Sequence, residues 1–136
     1  MIYLFLPLLF LFGCSPHSLE DYQFQGESLC RTMVIELQKI HTRDELASAL
    51  PELKRQFSAF VNLMIEAKEF QLKHPEQEGI DPAYYEHEYA EGLKDELARL
   101  CKLEGGRELI EKAQREALIR LSVFLGDTQK KQRMKD

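Results

Sequence analysis

The sequence predicts an all-α protein: a small bundle of three to four main helices plus a short connecting helix, preceded by a signal peptide. Three observations carry this reading. From residue 14 onward the chain is rich in Glu, Leu, Lys, Ala and Gln, which are good helix formers, and the whole sequence holds only 7 Gly and 5 Pro to interrupt them. Apolar residues recur at three- and four-residue spacing in separate segments, the period of a helix with one buried face. No segment alternates apolar and polar residues with the period of a strand.

Taken in order, residues 1–13 read as the signal peptide. Every residue from Ile2 to Phe12 is apolar, a run that favours lipid but falls short of the about 20 residues a membrane-crossing helix needs. Residues 14–25 read as a polar tether, within which Ser18-Leu19-Glu20-Asp21 is a possible capping sequence. A first helix is expected from about Gly26 to Ile40, with Cys30, Met33, Val34, Leu37 and Ile40 on one stripe. Thr42 with Glu45 three residues on is a capping box, and it opens a short helix over Asp44 to Ala49. Pro51 lacks an N–H and disfavours helical geometry at Leu50, so a kink or break is expected there, followed by a long helix from Pro51 to about Lys73. Leu53, Phe57, Phe60, Val61, Met64 and Ala67, flanked by Leu63 and Phe70, make that helix the expected centre of the core.

His74-Pro75 ends it. Asp81-Pro82 is a strong start for the next helix, which runs to about Glu104 with Tyr85, Tyr89, Leu93, Leu97, Leu100 and Cys101 inward. Gly105-Gly106 stops it. The last helix is expected over about Arg107 to Leu125, carrying Ile110, Ala113, Ala117, Leu121 and Phe124, with Gly126 as its stop. The bundle domain is thus residues 26–126, and residues 127–136 are expected to be a disordered basic tail.

The apolar leader ends Leu11-Phe12-Gly13-Cys14. This resembles the lipobox of bacterial lipoprotein precursors: an aliphatic residue, a variable one, Gly or Ala, then Cys. The resemblance implies that Cys14 receives a diacylglyceryl thioether, that cleavage follows Gly13, and that Cys14 becomes the acylated, palmitate-bearing N-terminus. Triple acylation supplies enough methylenes for stable anchoring at about 0.8 kcal/mol each. Ser15 follows the cysteine where Asp would mark inner-membrane retention in enteric-type sorting, so the implied location is the periplasmic face of the outer membrane.

Charge and motifs narrow the chemistry. A net charge of -5 gives no general attraction to nucleic acid. Residues 75–104 hold nine acids against three bases, and residues 105–136 hold five against eight, which suits neighbouring helices of complementary charge or an acidic patch for a basic partner. There is no Gly-x-Ser-x-Gly and no phosphate-binding glycine loop, so the reading is not an enzyme, with no cofactor. Glu86, His87, Glu88 and Glu91 cluster, but no Glu-x-x-His occurs and they flank the apolar stripe, so no metal site is expected.

With Cys14 lipidated, Cys30 and Cys101 are an even pair in an oxidising compartment and candidates for a disulfide. A bridge needs Cα atoms within about 7 Å. In a plain up-down-up bundle the two cysteines lie on the order of 20 Å apart at 1.5 Å per residue, so the bridge requires their helices to be antiparallel; otherwise they are two buried thiols. Tyr84 or Tyr85 must be partly exposed beside carboxylates, and the pair is a candidate partner-binding patch. The basic tail, Lys130, Lys131, Arg133 and Lys135, is either solvated or in contact with an anionic surface.

The expected function is therefore an envelope lipoprotein with a non-enzymatic structural or protein-interaction role, its partners being the membrane, through Cys14, and an envelope protein. The alternative is a helical module binding a small apolar or lipidic ligand around Phe57, Phe60 and Met64.

Overall fold

The computed structural model describes residues 18–76 and 88–135, with side chains described at 18–76 and 90–135. The described residues form four helices: α1 (Leu19–Gln38), α2 (Arg43–Lys73), α3 (Glu88–Cys101) and α4 (Gly106–Lys135). None of them is long and apolar enough to cross a membrane. Cys14, Tyr84, Tyr85, Glu86, His87 and the Asp81-Pro82 helix start lie outside the described residues.

α1 begins seven residues before the expected start at Gly26. Ser18 sits in extended geometry (φ -150°, ψ 164°), and its Oγ accepts the Asp21 N–H at 3.2 Å. Glu20 and Asp21 add negative charge to the first turn, where the helix dipole favours it. The inner end of the expected tether is therefore helix, fixed by the burial of Leu19.

The expected cap of the second segment is present. Thr42 Oγ1 accepts the Glu45 N–H at 3.2 Å, and its hydroxyl donates to Glu45 Oε1 at 3.1 Å. Of the kink or break expected at Pro51, the break is absent: α2 continues through it as one 31-residue helix. Pro51 and Ala47, whose carbonyl loses the Pro51 N–H, are both exposed, so water can serve that carbonyl. On the opposite face, Leu46 (0% exposed) and Leu53 (2%) are buried in the same core and hold both sides of the proline in register.

α3 ends at Cys101, and a tight turn leads straight into α4. Gly105 takes φ +71°, the left-handed geometry that side chains rarely adopt. A Cβ on Gly106 would lie 2.0 Å from the Leu100 carbonyl oxygen, so the two helices can meet this closely only at glycine. The expected stop at Gly126 is overturned: α4 runs on to Lys135, and the expected disordered tail is helical as far as it is described. Arg133 and Lys135 in the last turn complement its dipole.

Pairwise contacts set the helix directions. Tyr22 meets Phe70 (ring centroids 5.5 Å apart), and Gly26 faces Leu63, so α1 and α2 are antiparallel. Gly92 faces Val34, and Arg99 Nη2 donates to the Leu37 carbonyl at 2.9 Å, so α1 and α3 are parallel. Gly105 lies against Arg43, and Arg120 Nη2 donates to the Ser58 carbonyl at 3.0 Å, so α2 and α4 are also parallel. The fold is two helical hairpins laid side by side in the same sense, α1 on α3 and α2 on α4.

The core gathers toward the end where both hairpin turns lie. Met33, Leu37, Ile40, Leu46, Leu53, Leu100 and Ile110 are buried there, continuing to Phe57, Val61, Ala113 and Ala117. The small side chains of Ala113 and Ala117 let α4 approach α2 closely. Met64, expected inward, is 44% exposed.

Candidate functional site

Parallel packing of α1 and α3 settles the geometry of the two cysteines. Cys30 lies four residues before Val34, and Cys101 lies nine after Gly92, which faces Val34. At 1.5 Å per residue they are separated along the bundle by about 20 Å, or about 14 Å if Arg99 and Leu37 set the level. Both are free thiols, so the expected Cys30–Cys101 bridge is not formed. Cys30 is buried, and desolvation first and the nearby Glu27 second push its thiol above the ordinary range, which makes it an unreactive core residue.

Of the three residues around which the alternative ligand site is expected, Met64 is 44% exposed. Phe57 is part of the core, and none of the three lines the cleft described below. At the other end of α2, Tyr22, Phe70 and His74 stack in sequence, and His74 Nδ1 meets Glu76 Oε1 at 3.1 Å. That contact helps to hold the Glu76 carboxyl below its usual range, after a backbone hydrogen bond within Glu76 itself. This arrangement closes the end of α2 and brings no reactive pair together.

A concave site lies where α1 ends and α2 begins. It is an open cleft of about 560 Å³. Ile40, Ala49 and Leu53 form apolar walls, Ser48 lies among them, and Gln56 completes the lining on the core side. Glu36, Asp44, Glu45 and Glu52 ring it, with Lys39 as the one cation in the lining.

The local folding explains each position. Glu36 and Lys39 come from the last turn of α1 and its C-cap, and pair at 3.4 Å. Asp44 and Glu45 occupy the first turn of α2, where the cap recruits them. Glu52 stands two turns on and accepts from the Arg55 guanidinium through both oxygens, with Nε to Oε2 at 2.9 Å; that hydrogen bond holds its carboxyl below the usual range. The C-terminal dipole of α1 and the N-terminal dipole of α2 oppose each other here, so the side chains decide the sign of the site, and it is negative.

Gln56 is the unusual member. It is 4% exposed, and its Oε1 is buried without a hydrogen-bond partner. Leaving such an acceptor unsatisfied costs about 1–3 kcal/mol. Sequence reasoning passed over it, although a signal was present. Leu46, Ala49, Leu53, Gln56 and Phe60 follow a three-four-three-four spacing, and Gln56 is the single polar residue on that stripe.

Among the described residues no group of three or more His, Cys, Asp and Glu side chains converges as a metal-ion site. The cleft instead combines apolar walls with a negative rim.

Comparison with protein families, with curated proteins and with solved structures finds no match for this chain.

Proposed function

We propose that this chain is a bacterial envelope lipoprotein that works by protein contact rather than by catalysis, held on the periplasmic face of the outer membrane through acylated Cys14. The observation that carries the reading is the run Ile2–Phe12 closing on Gly13-Cys14. An apolar segment of that length is too short to span a bilayer and costs free energy if left in water. The lipobox resemblance accounts for it by removal, and accounts for Cys14 by acylation. The bundle then supplies a rigid body at the membrane surface, with Tyr84 and Tyr85 proposed as part of its contact surface.

The test is affinity purification of the full chain from detergent-solubilised envelopes through a C-terminal tag. The expected result is one envelope protein recovered in near-stoichiometric amount and lost at high salt. Recovery of no specific protein would refute the contact role.

A further inference from the structure

We propose that an outer stripe on the second half of α4, Ile119, Val123, Lys130, Arg133 and Met134, lies against the anionic lipid surface in which Cys14 is anchored. The inference rests on the anchor reading above and names how the bundle sits on that membrane. At 3.6 residues per turn the five positions share an arc of about 100°, opposite the buried Ile110, Ala113 and Ala117. Ile119, Val123 and Met134 are 58%, 59% and 84% exposed. α4 is also the one described helix with a positive charge balance, eight bases against four acids. From residue 119 to residue 135 it holds Arg120, Lys130, Lys131, Arg133 and Lys135 against Asp127 alone. None of these bases forms an ion pair with a described residue. Exposed apolar side chains among unspent cations suit an interface of acyl chains and anionic headgroups.

The topology brings this stripe to the anchored end. α2 and α4 run parallel, with Arg120 bonded to Ser58, so Arg133 comes level with Gln71. Tyr22, near the start of α1, meets Phe70 at that same level. Cys14 precedes Leu19 by five residues, so it lies within about 18 Å of the start of α1 whatever path the chain takes. That reach exceeds a helix-to-helix spacing of about 8–10 Å, and the anchored bundle is free to tilt onto α4. The acids at this end stand on other helices, Glu20 and Asp21 on α1 and Glu69 on α2, with Glu76 just beyond it and held by His74. An anionic surface therefore draws the α4 side down and turns the α1 side away. A second copy fits the stripe poorly: antiparallel pairing centred between Ile119 and Val123 sets Lys130 against Lys112, and parallel pairing sets every base against itself.

The experiment is NMR of the chain purified from bacterial envelopes and placed in bicelles that carry a gadolinium-chelating lipid. The bicelles are phosphatidylcholine with or without phosphatidylglycerol. Backbone amides of α4 from residue 119 to residue 134 should broaden with a three-four periodicity when phosphatidylglycerol is present. The effect should fade in neutral bicelles and at high salt, which screens exposed charge. Each base neutralised should lower the bound-to-free ratio of α4 by about fivefold, so Lys130→Gln/Arg133→Gln should release it. Lys130→Arg/Arg133→Lys should keep it bound. Both pairs are exposed, and unchanged amide shifts in α1 and α3 will show that the bundle is intact.

Broadening confined to the start of α1, or equal broadening of α4 in neutral bicelles, overturns the proposal. So does a dimer that Val123→Glu dissolves, which would hand the stripe to a second copy of this chain, or a co-purifying acidic protein that shields these amides from the labelled lipid. The mass of the same sample separates this inference from the reading beneath it. An acylated Cys14 with α4 unbroadened refutes the surface contact and spares the anchor. An unmodified Cys14 with broadening that still depends on Lys130 and Arg133 refutes the anchor and supports the contact of α4 with lipid.

Discussion

Replacing Gln56 by Met should make the protein more stable. The side chain is 4% exposed, so the substitution is a core exchange, and its Oε1 has no hydrogen-bond partner to lose. Removing a buried acceptor that is unsatisfied recovers about 1–3 kcal/mol. Met matches Gln in length and flexes into irregular space, so the packing cost should stay under about 1 kcal/mol. The net expectation is a gain of about 1–2 kcal/mol. With a urea m-value of about 1–3 kcal/mol/M, the unfolding midpoint should rise by roughly 0.5–1 M with m unchanged. Helical circular dichroism during a urea titration reads this directly. A loss of 1 kcal/mol or more in Gln56→Met would mean that the amide is already satisfied in the folded protein, and the reasoning from its unpartnered oxygen would fall.

Gly126→Ala tests the length of α4. A Cβ at Gly126 meets nothing within 4 Å, so alanine should stabilise by up to about 1 kcal/mol if the helix runs through it; destabilisation in the same urea assay would restore the stop at residue 126. Gly106→Ala should do the opposite. Its Cβ would strike the Leu100 carbonyl at 2.0 Å, and parting the α3–α4 turn should cost well above the roughly 1 kcal/mol typical of point substitutions, read as a lowered Tm. Cys30 gives a pH dependence. Its thiol is held above the ordinary range when folded, so its contribution is full below the unfolded pKa and declines as pH rises through that value toward the folded one. Cys30→Ala, though less stable overall for lost packing, should show a shallower loss of stability above about pH 8.5. Alkylation at pH 8 should label Cys101 well before Cys30, and rapid labelling of both would contradict the burial.

Much of this fold was legible in local chemistry, and its departures share one cause. The Thr42–Glu45 cap, the Gly105-Gly106 turn and the stripes on α1 and α4 are short-range signals, and the structure follows them. Pro51 and Gly126 are short-range signals too, yet α2 and α4 pass through both. At Pro51 the stripe from Leu46 to Leu53 buries residues on each side, and the missing hydrogen bond faces water. Ser18 is the converse, a weak-looking cap confirmed once Leu19 is buried.

What no local pattern carries is which helix lies on which. The parallel pairing of α1 with α3 depends on two hairpins docking, and it alone removes the Cys30–Cys101 bridge. The cleft has the same origin. Its residues come from the end of one helix and the first turns of the next, while the sequence reading placed a ligand site further along α2, around Phe57, Phe60 and Met64. Gln56 was visible as a polar residue on an apolar stripe. Its meaning needed the neighbours that leave its oxygen unpartnered.

The central claim, an anchored envelope protein, rests on Cys14, and intact-mass measurement of the chain purified from bacterial envelopes tests it most directly. The account predicts a species that begins at Cys14, heavier than residues 14–136 by a diacylglyceryl group and an N-acyl chain. A Cys14→Ala variant should keep its leader and carry no lipid. A full-length chain retaining Met1 or Ile2 with an unmodified Cys14 would contradict the account.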